Sequence, residues 1–154
     1  MKKFIILVLS CFILLGCSST KLISSSSIPE GKETIFILFD NTQSTVDSGG
    51  VFIGNVFVSG TESASFNTID NRLITKTMLA EKGFKVTQTK EKADMILYGG
   101  CDSSEVQSVV TLMLIDSETE EEYALVKGTY GMGMDLNGDI KGALKNALKS
   151  LPNR

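Results

Sequence analysis

Residues 107–130 read QSVVTLMLIDSETEEEYALVKGTY. Through Asp116 they alternate: Val109, Thr111, Met113 and Ile115 fall on one face of an extended chain, and Val110, Leu112 and Leu114 on the other. That is the period of two expected of a strand. Asp116-Ser117-Glu118-Thr119 is made of turn formers, and Glu121 to Tyr130 returns as a second extended segment, so the stretch predicts a β-hairpin. Just beyond it, Asp139 to Leu151 changes period. Ile140, Ala143, Leu144, Ala147, Leu148 and Leu151 make an apolar stripe at helical spacing, and Lys141, Lys145 and Lys149 lie opposite. Asn137 can cap this helix and Pro152 stops it. A hairpin apolar on both faces, followed by a helix with one apolar stripe, predicts a sheet with a helix laid on it.

Upstream, Ala93 to Gly100 (ADMILYGG) reads as a buried strand, and Phe84 to Thr89 as extended. Asn67 to Lys82 predicts a helix with Ile69, Leu73, Ile74, Met78 and Ala80 on its inner side, capped by Asn67 or Asp70 and closed by Gly83. Thr34 to Phe39 is apolar on both faces, as a central strand is. Asn41 to Gly50 is rich in turn formers. Val51 to Val58 is a strand or a bent hairpin whose apolar residues need cover from core, lipid or partner. The expectation is an α+β fold: one mixed sheet of about five strands with two helices on one face.

The chain has 154 residues, enough for one domain, with 42% apolar and 21% charged residues. These are globular proportions. The formal charge of −3 offers no basic footprint for nucleic acid. Histidine is absent, which excludes Ser-His-Asp and Cys-His catalysis, histidine-ligated zinc and histidine pH switches. The glycines match neither a phosphate-binding loop nor a dinucleotide fingerprint. No cofactor is expected.

The chain opens with Met1-Lys2-Lys3, then an apolar run from Phe4 to Leu15, then Gly16 and Cys17. A basic start and a short apolar core describe a secretory signal, and about 18 Å of helix is too short to span a bilayer. Leu14-Leu15-Gly16-Cys17 resembles the lipobox of bacterial lipoproteins. The resemblance implies cleavage between Gly16 and Cys17 and acylation of Cys17, palmitate-type chains holding the protein to a membrane. Ser18 in the sorting position implies, in a Gram-negative cell, the periplasmic face of the outer membrane. The expected organisation is a signal peptide over 1–16, a lipidated Ser-rich tether over 17–32 and an envelope domain over 33–154. Loss of Lys2 and Lys3 with the signal takes the charge from −3 to −5. Cys11 leaves with the signal and Cys17 takes lipid, so Cys101 remains alone and reads as a small buried hydrophobe.

The succession AEKGFKV, KADMILYGG, LMLIDSETEEEYALVKG and an Ala/Leu helix resembles a group of small bacterial envelope lipoproteins. Their domain is similar to the amino-terminal domain of TolB and to the periplasmic domain of the curli-secretion lipoprotein. The resemblance implies the fold and an envelope role. The anchor, the tether and the lack of a catalytic constellation point to a non-enzymatic protein that binds or scaffolds another envelope component, and Glu121 to Tyr130 or Val51 to Val58 could pair edge to edge with a second copy. A second reading is a small-ligand module in which Val51, Phe52, Ile53, Val56 and Phe57 edge a pocket. A third is a hydrolase using Asp40 and a second acid, Asp94 being the best partner.

Other motifs have plainer readings. Asp135-Leu136-Asn137-Gly138-Asp139 lacks EF-hand spacing and reads as a turn with a helix cap. Met113, Met132 and Met134 offer thioethers for copper but are explained by core filling. Glu118, Glu120, Glu121 and Glu122 read as solvated surface.

Overall fold

The computed structural model of the chain describes residues 17–41, 43–53, 56–104, 107–131 and 135–154. Eight strands and two helices follow in the order β1 (Cys17–Ser25), β2 (Thr34–Phe39), β3 (Gln43–Ile53), β4 (Val56–Ser65), α1 (Ile69–Glu81), β5 (Lys85–Thr87), β6 (Met95–Ser103), β7 (Ser108–Asp116), β8 (Glu122–Gly131) and α2 (Leu136–Ser150). Six strands make one mixed sheet in the order β1-β8-β7-β6-β2-β5. β2 runs parallel to β5 and β6, and the other pairs are antiparallel. β3 and β4 pair only with each other. The fold is α+β, with one strand more than expected.

The alternation of β7 decides the layers. Val110, Leu112 and Leu114 face the helices and are fully buried, together with Ile35, Met95, Leu97, Ala124 and Val126 from neighbouring strands. The stripe of α2 covers them: Ile140, Ala143, Leu144, Ala147, Leu148 and Leu151 are all buried. Each Leu or Ile so covered contributes roughly 1.5–3 kcal/mol relative to exposure. The helix sits close because Gly128 on β8 has no side chain; a Cβ there would lie 2.2 Å from the carbonyl oxygen of Ala143.

Four sequence expectations are corrected. The Ser-rich segment read as a tether forms β1, an edge strand on β8 from Cys17↔Gly131 to Ser25↔Ala124. Polar side chains suit an edge strand. Here the Ser19 and Thr129 hydroxyls lie 2.6 Å apart, and Asn146 of α2 donates to Ser18 Oγ at 2.7 Å. The turn-rich stretch 41–50 belongs largely to β3, whose partner β4 satisfies its backbone. In α1 Ile74 and Met78 pack against the core as expected, but the buried residues are Asn71, Thr75 and Leu79, and Ile69 is 86% and Leu73 60% exposed. The polar pair is buried because it is bonded: Asn71 Nδ2 donates to Phe66 O at 2.8 Å, and Thr75 Oγ1 donates to Asn71 O at 2.8 Å. The caps also differ. Thr68, not Asn67 or Asp70, caps α1, and Asp135, not Asn137, caps α2 by accepting from the amides of Asn137 and Gly138. Gly83 does take the left-handed position after α1, at φ +92°.

Candidate functional site

A strand that buries one set of side chains presents the alternate set. Both helices lie on one side, so the other face of the sheet carries no covering element among the described residues. Register places Phe36 and Leu38 (β2) beside Ile96 and Tyr98 (β6), then Met113 and Ile115 (β7), then Leu125 (β8). Ile96 and Ile115 are buried, whereas Leu38 is 38% exposed and Tyr98, Met113 and Leu125 are half-buried. The stripe is apolar and continuous across four strands. Gly100 follows the stripe on β6, opposite Thr111, and a Cβ there would touch nothing within 4 Å. The gap is a shallow hollow lined by Leu38, Tyr98, Gly100, Thr111, Met113 and Leu125. Along the β1–β8 margin, exposed Lys21 and Lys127 stand directly opposite each other. Like charges in that position repel.

Topology fixes a second feature. β1 starts at Cys17 beside Gly131, at the same end of the sheet as Ser103 and Ser108. β2, parallel to β6, finishes at that end too, with the Asp40 amide bonded to Gly99 O at 2.8 Å. The β3–β4 hairpin therefore leaves from the end at which Cys17 sits. Its base is clamped: Ala64 and Phe66 are buried, and the Phe66 ring packs on Phe39 at 4.7 Å between centroids.

The opposite end holds the bonded carboxylates. Asp94 Oδ2 accepts from the amides of Glu33 and Thr34 at 2.9 and 2.8 Å and from Thr34 Oγ1 at 2.7 Å. Those amide bonds hold its pKa below the usual carboxylate value. Asp116 is 3% exposed and accepts from Tyr123 Oη at 2.7 Å and from the amides of Glu118 and Thr119, with Lys32 Nζ at 2.9 Å. The Tyr123 hydroxyl, the two amides and Lys32 depress Asp116 strongly. Burial, then Asp116 itself, pushes Tyr123 up to about 12. These groups lock the β7–β8 turn and the entry to β2.

The sequence candidates are distributed as follows. Asp40 and Asp94 are not brought together: they flank the six residues of β2, about 20 Å apart along it. Asp135 caps α2, as the turn-and-cap reading of its loop expects, and the Glu118–Glu122 acids are exposed at the β7–β8 turn. Cys101 is half-buried against the core, its sulfur 3.6 Å from Ser103 Oγ. Val51, Phe52 and Ile53 pair in register with Val58, Phe57 and Val56 at the far end of the hairpin, away from the six-stranded sheet's own ladder. Gly16 and the rest of 1–16, with Met132 and Met134, lie outside the described residues. Among the described residues no helix is long and apolar enough to cross a membrane, and no three His, Cys, Asp or Glu groups could hold a metal ion. Sequence reasoning missed the open sheet face, although the second face of the 107–116 alternation (Val109, Thr111, Met113, Ile115) carried its signal.

No protein-family model matches the chain, and no curated protein matches it by sequence. Its fold is similar to that of solved structures. A PelC dodecamer from Paraburkholderia phytofirmans superposes with a TM-score of 0.54 at 14% identity, over 90% of this chain and 100% of that one. A DUF4136 family protein from Bacteroides thetaiotaomicron gives 0.47 at 8%, over 88% and 93%. TolB from Acinetobacter baumannii gives 0.40 at 12%, over 89% of this chain and 32% of that one. At these identities the likeness to PelC is one of fold.

Proposed function

We propose that this chain is a lipid-anchored, non-enzymatic envelope protein that acts by assembly: copies of it associate through the helix-free sheet face and scaffold a further envelope component. The observation that carries the reading is that face itself. A continuous apolar stripe through Leu38, Tyr98, Met113 and Leu125 on a finished sheet is surface that gains from burial against another protein. Two further facts support it. Half-buried Asp94 and buried Asp116 are tied into backbone and side-chain hydrogen bonds that hold the fold, leaving binding as the simpler use of the domain. The fold is shared with a PelC chain that is a dodecamer.

The anchor is acylated Cys17, following cleavage after Gly16. Two or three acyl chains on one residue make attachment stable where a single chain is marginal. The outer membrane is the expected home in a Gram-negative cell.

The test is the mass of the full chain, extracted from membranes in detergent and measured by light scattering. The expected result is a defined oligomer, dissociated by Met113→Glu together with Leu38→Glu while far-UV circular dichroism stays unchanged. A parent protein that is monomeric at all concentrations, with no crosslinks from position 113 in intact envelopes, overturns the reading.

A further inference from the structure

The β3–β4 hairpin divides sharply along its length. Its stem, Gln43–Ser48 against Gly60–Ser65, carries Asp47, Glu62 and a run of Ser and Thr, with only Val46 and Ala64 apolar. Its far end is Val51-Phe52-Ile53 against Val56-Phe57-Val58, with no polar residue in either strand. A two-stranded hairpin is marginal in water by itself, and six apolar residues at its outer end are a further cost unless something covers them. Against the body it meets β6 through β3 and α2 through β4; its other principal contacts are between its own strands.

What lies beyond that end is fixed by Cys17. Because β1 begins at Cys17 itself, no slack separates the acylated residue from the sheet. The end of the sheet that carries Cys17 therefore stands at the bilayer, and the hairpin leaves from that same end. We propose that the hairpin tip, Val51–Ile53 with Val56–Val58, is a second membrane contact that enters the lipid interface beside the acyl chains of Cys17. The depth agrees with the sequence: three residues of strand span about 10 Å, the depth to which amphipathic segments sink at the boundary of headgroups and acyl chains. The stem stops it there. Asp47, opposite Thr61, and Glu62, opposite Val46, lie on adjacent rungs and would carry two acids into hydrocarbon if the hairpin went deeper. Anchor and tip together give the domain two points of attachment, which fixes its tilt and hence the direction in which the open sheet face points. An anchor alone leaves the domain free to swing.

The inference rests on the anchored reading for the position of the bilayer, and its test separates the two. The chain has no tryptophan, so one introduced residue is a clean reporter. Full-length protein carrying Phe52→Trp, or Phe57→Trp as a second site, is purified from membranes and reconstituted in phosphatidylethanolamine/phosphatidylglycerol vesicles. Leu38→Trp on the open face serves as the body reporter, and mass spectrometry of the same samples reads acylation of Cys17. The expected result is a blue-shifted tip emission, quenched by lipids brominated high on the acyl chain, with the position 38 reporter unquenched. Tip emission that stays water-like, or that shifts without bromine quenching because a second copy covers it, overturns the proposal while acylated Cys17 leaves the anchor standing. A bare Cys17 with a quenched tip overturns the anchor and leaves the tip as the membrane contact.

Discussion

Replacing Gly128 by alanine adds one methyl group at the place where α2 lies closest to the sheet. The new Cβ would sit 2.2 Å from Ala143 O and 2.3 Å from Ala147 N. Ordinary van der Waals contact begins at 3.4 Å, so α2 must lift by about 1 Å or tilt. Both obstructing atoms are helix backbone and cannot rotate away as a side-chain tip would. Lifting the helix loosens Leu144 and Leu148, which are fully buried. Overpacking costs about 1–3 kcal/mol, and backbone obstruction puts this case at the top of that range. Against a domain stability of about 5–15 kcal/mol, a loss of about 3 kcal/mol lowers Tm by about 10 °C. The assay is urea denaturation followed by far-UV circular dichroism, with Gly100→Ala as control. The control residue is on a strand of the same sheet, and its Cβ would meet nothing within 4 Å. Gly100→Ala should be neutral or slightly stabilising, since alanine restricts the unfolded chain more than glycine does. If Gly128→Ala falls within about 0.5 kcal/mol of Gly100→Ala, the close approach of helix and sheet is wrong.

Two further predictions concern the ends of the fold. Asp116 is held below its ordinary value by the Tyr123 hydroxyl, the turn amides and Lys32. A depressed carboxyl contributes stability that is complete above its unfolded pKa, near 4, and is lost as pH falls toward the folded value. Acid titration of stability should therefore decline below about pH 4, and Asp116→Asn should be less stable at neutral pH and flatter on the acid side; an unchanged acid limb refutes the network. In the cap of α2, Asp135→Ala leaves the amides of Asn137 and Gly138 without their acceptor, and should cost about 1 kcal/mol in the same urea assay while Asp135→Ser loses less.

Much of the fold is written in local pattern. The period of two in Ser108–Asp116 and the helical stripe from Ile140 to Leu151 specify β7 and α2, because burial of one face is a demand each segment makes by itself. Gly83 marks the end of α1 for an equally local reason, its positive φ. Lys21 and Lys127, by contrast, become neighbours only through a strand pairing across about a hundred residues. The Ser-rich start has no apolar pattern to announce a strand; β8 makes it one by offering an unpaired edge. Which side of α1 is buried was likewise decided by Phe66 O and the backbone of Asn71, which satisfy two polar side chains and leave Ile69 and Leu73 in solvent. The sequence of this chain determined its elements and its apolar inventory. Only tertiary structure decided which apolar face stays open and which groups share one end of the sheet, because both depend on the order of strands and not on any single strand.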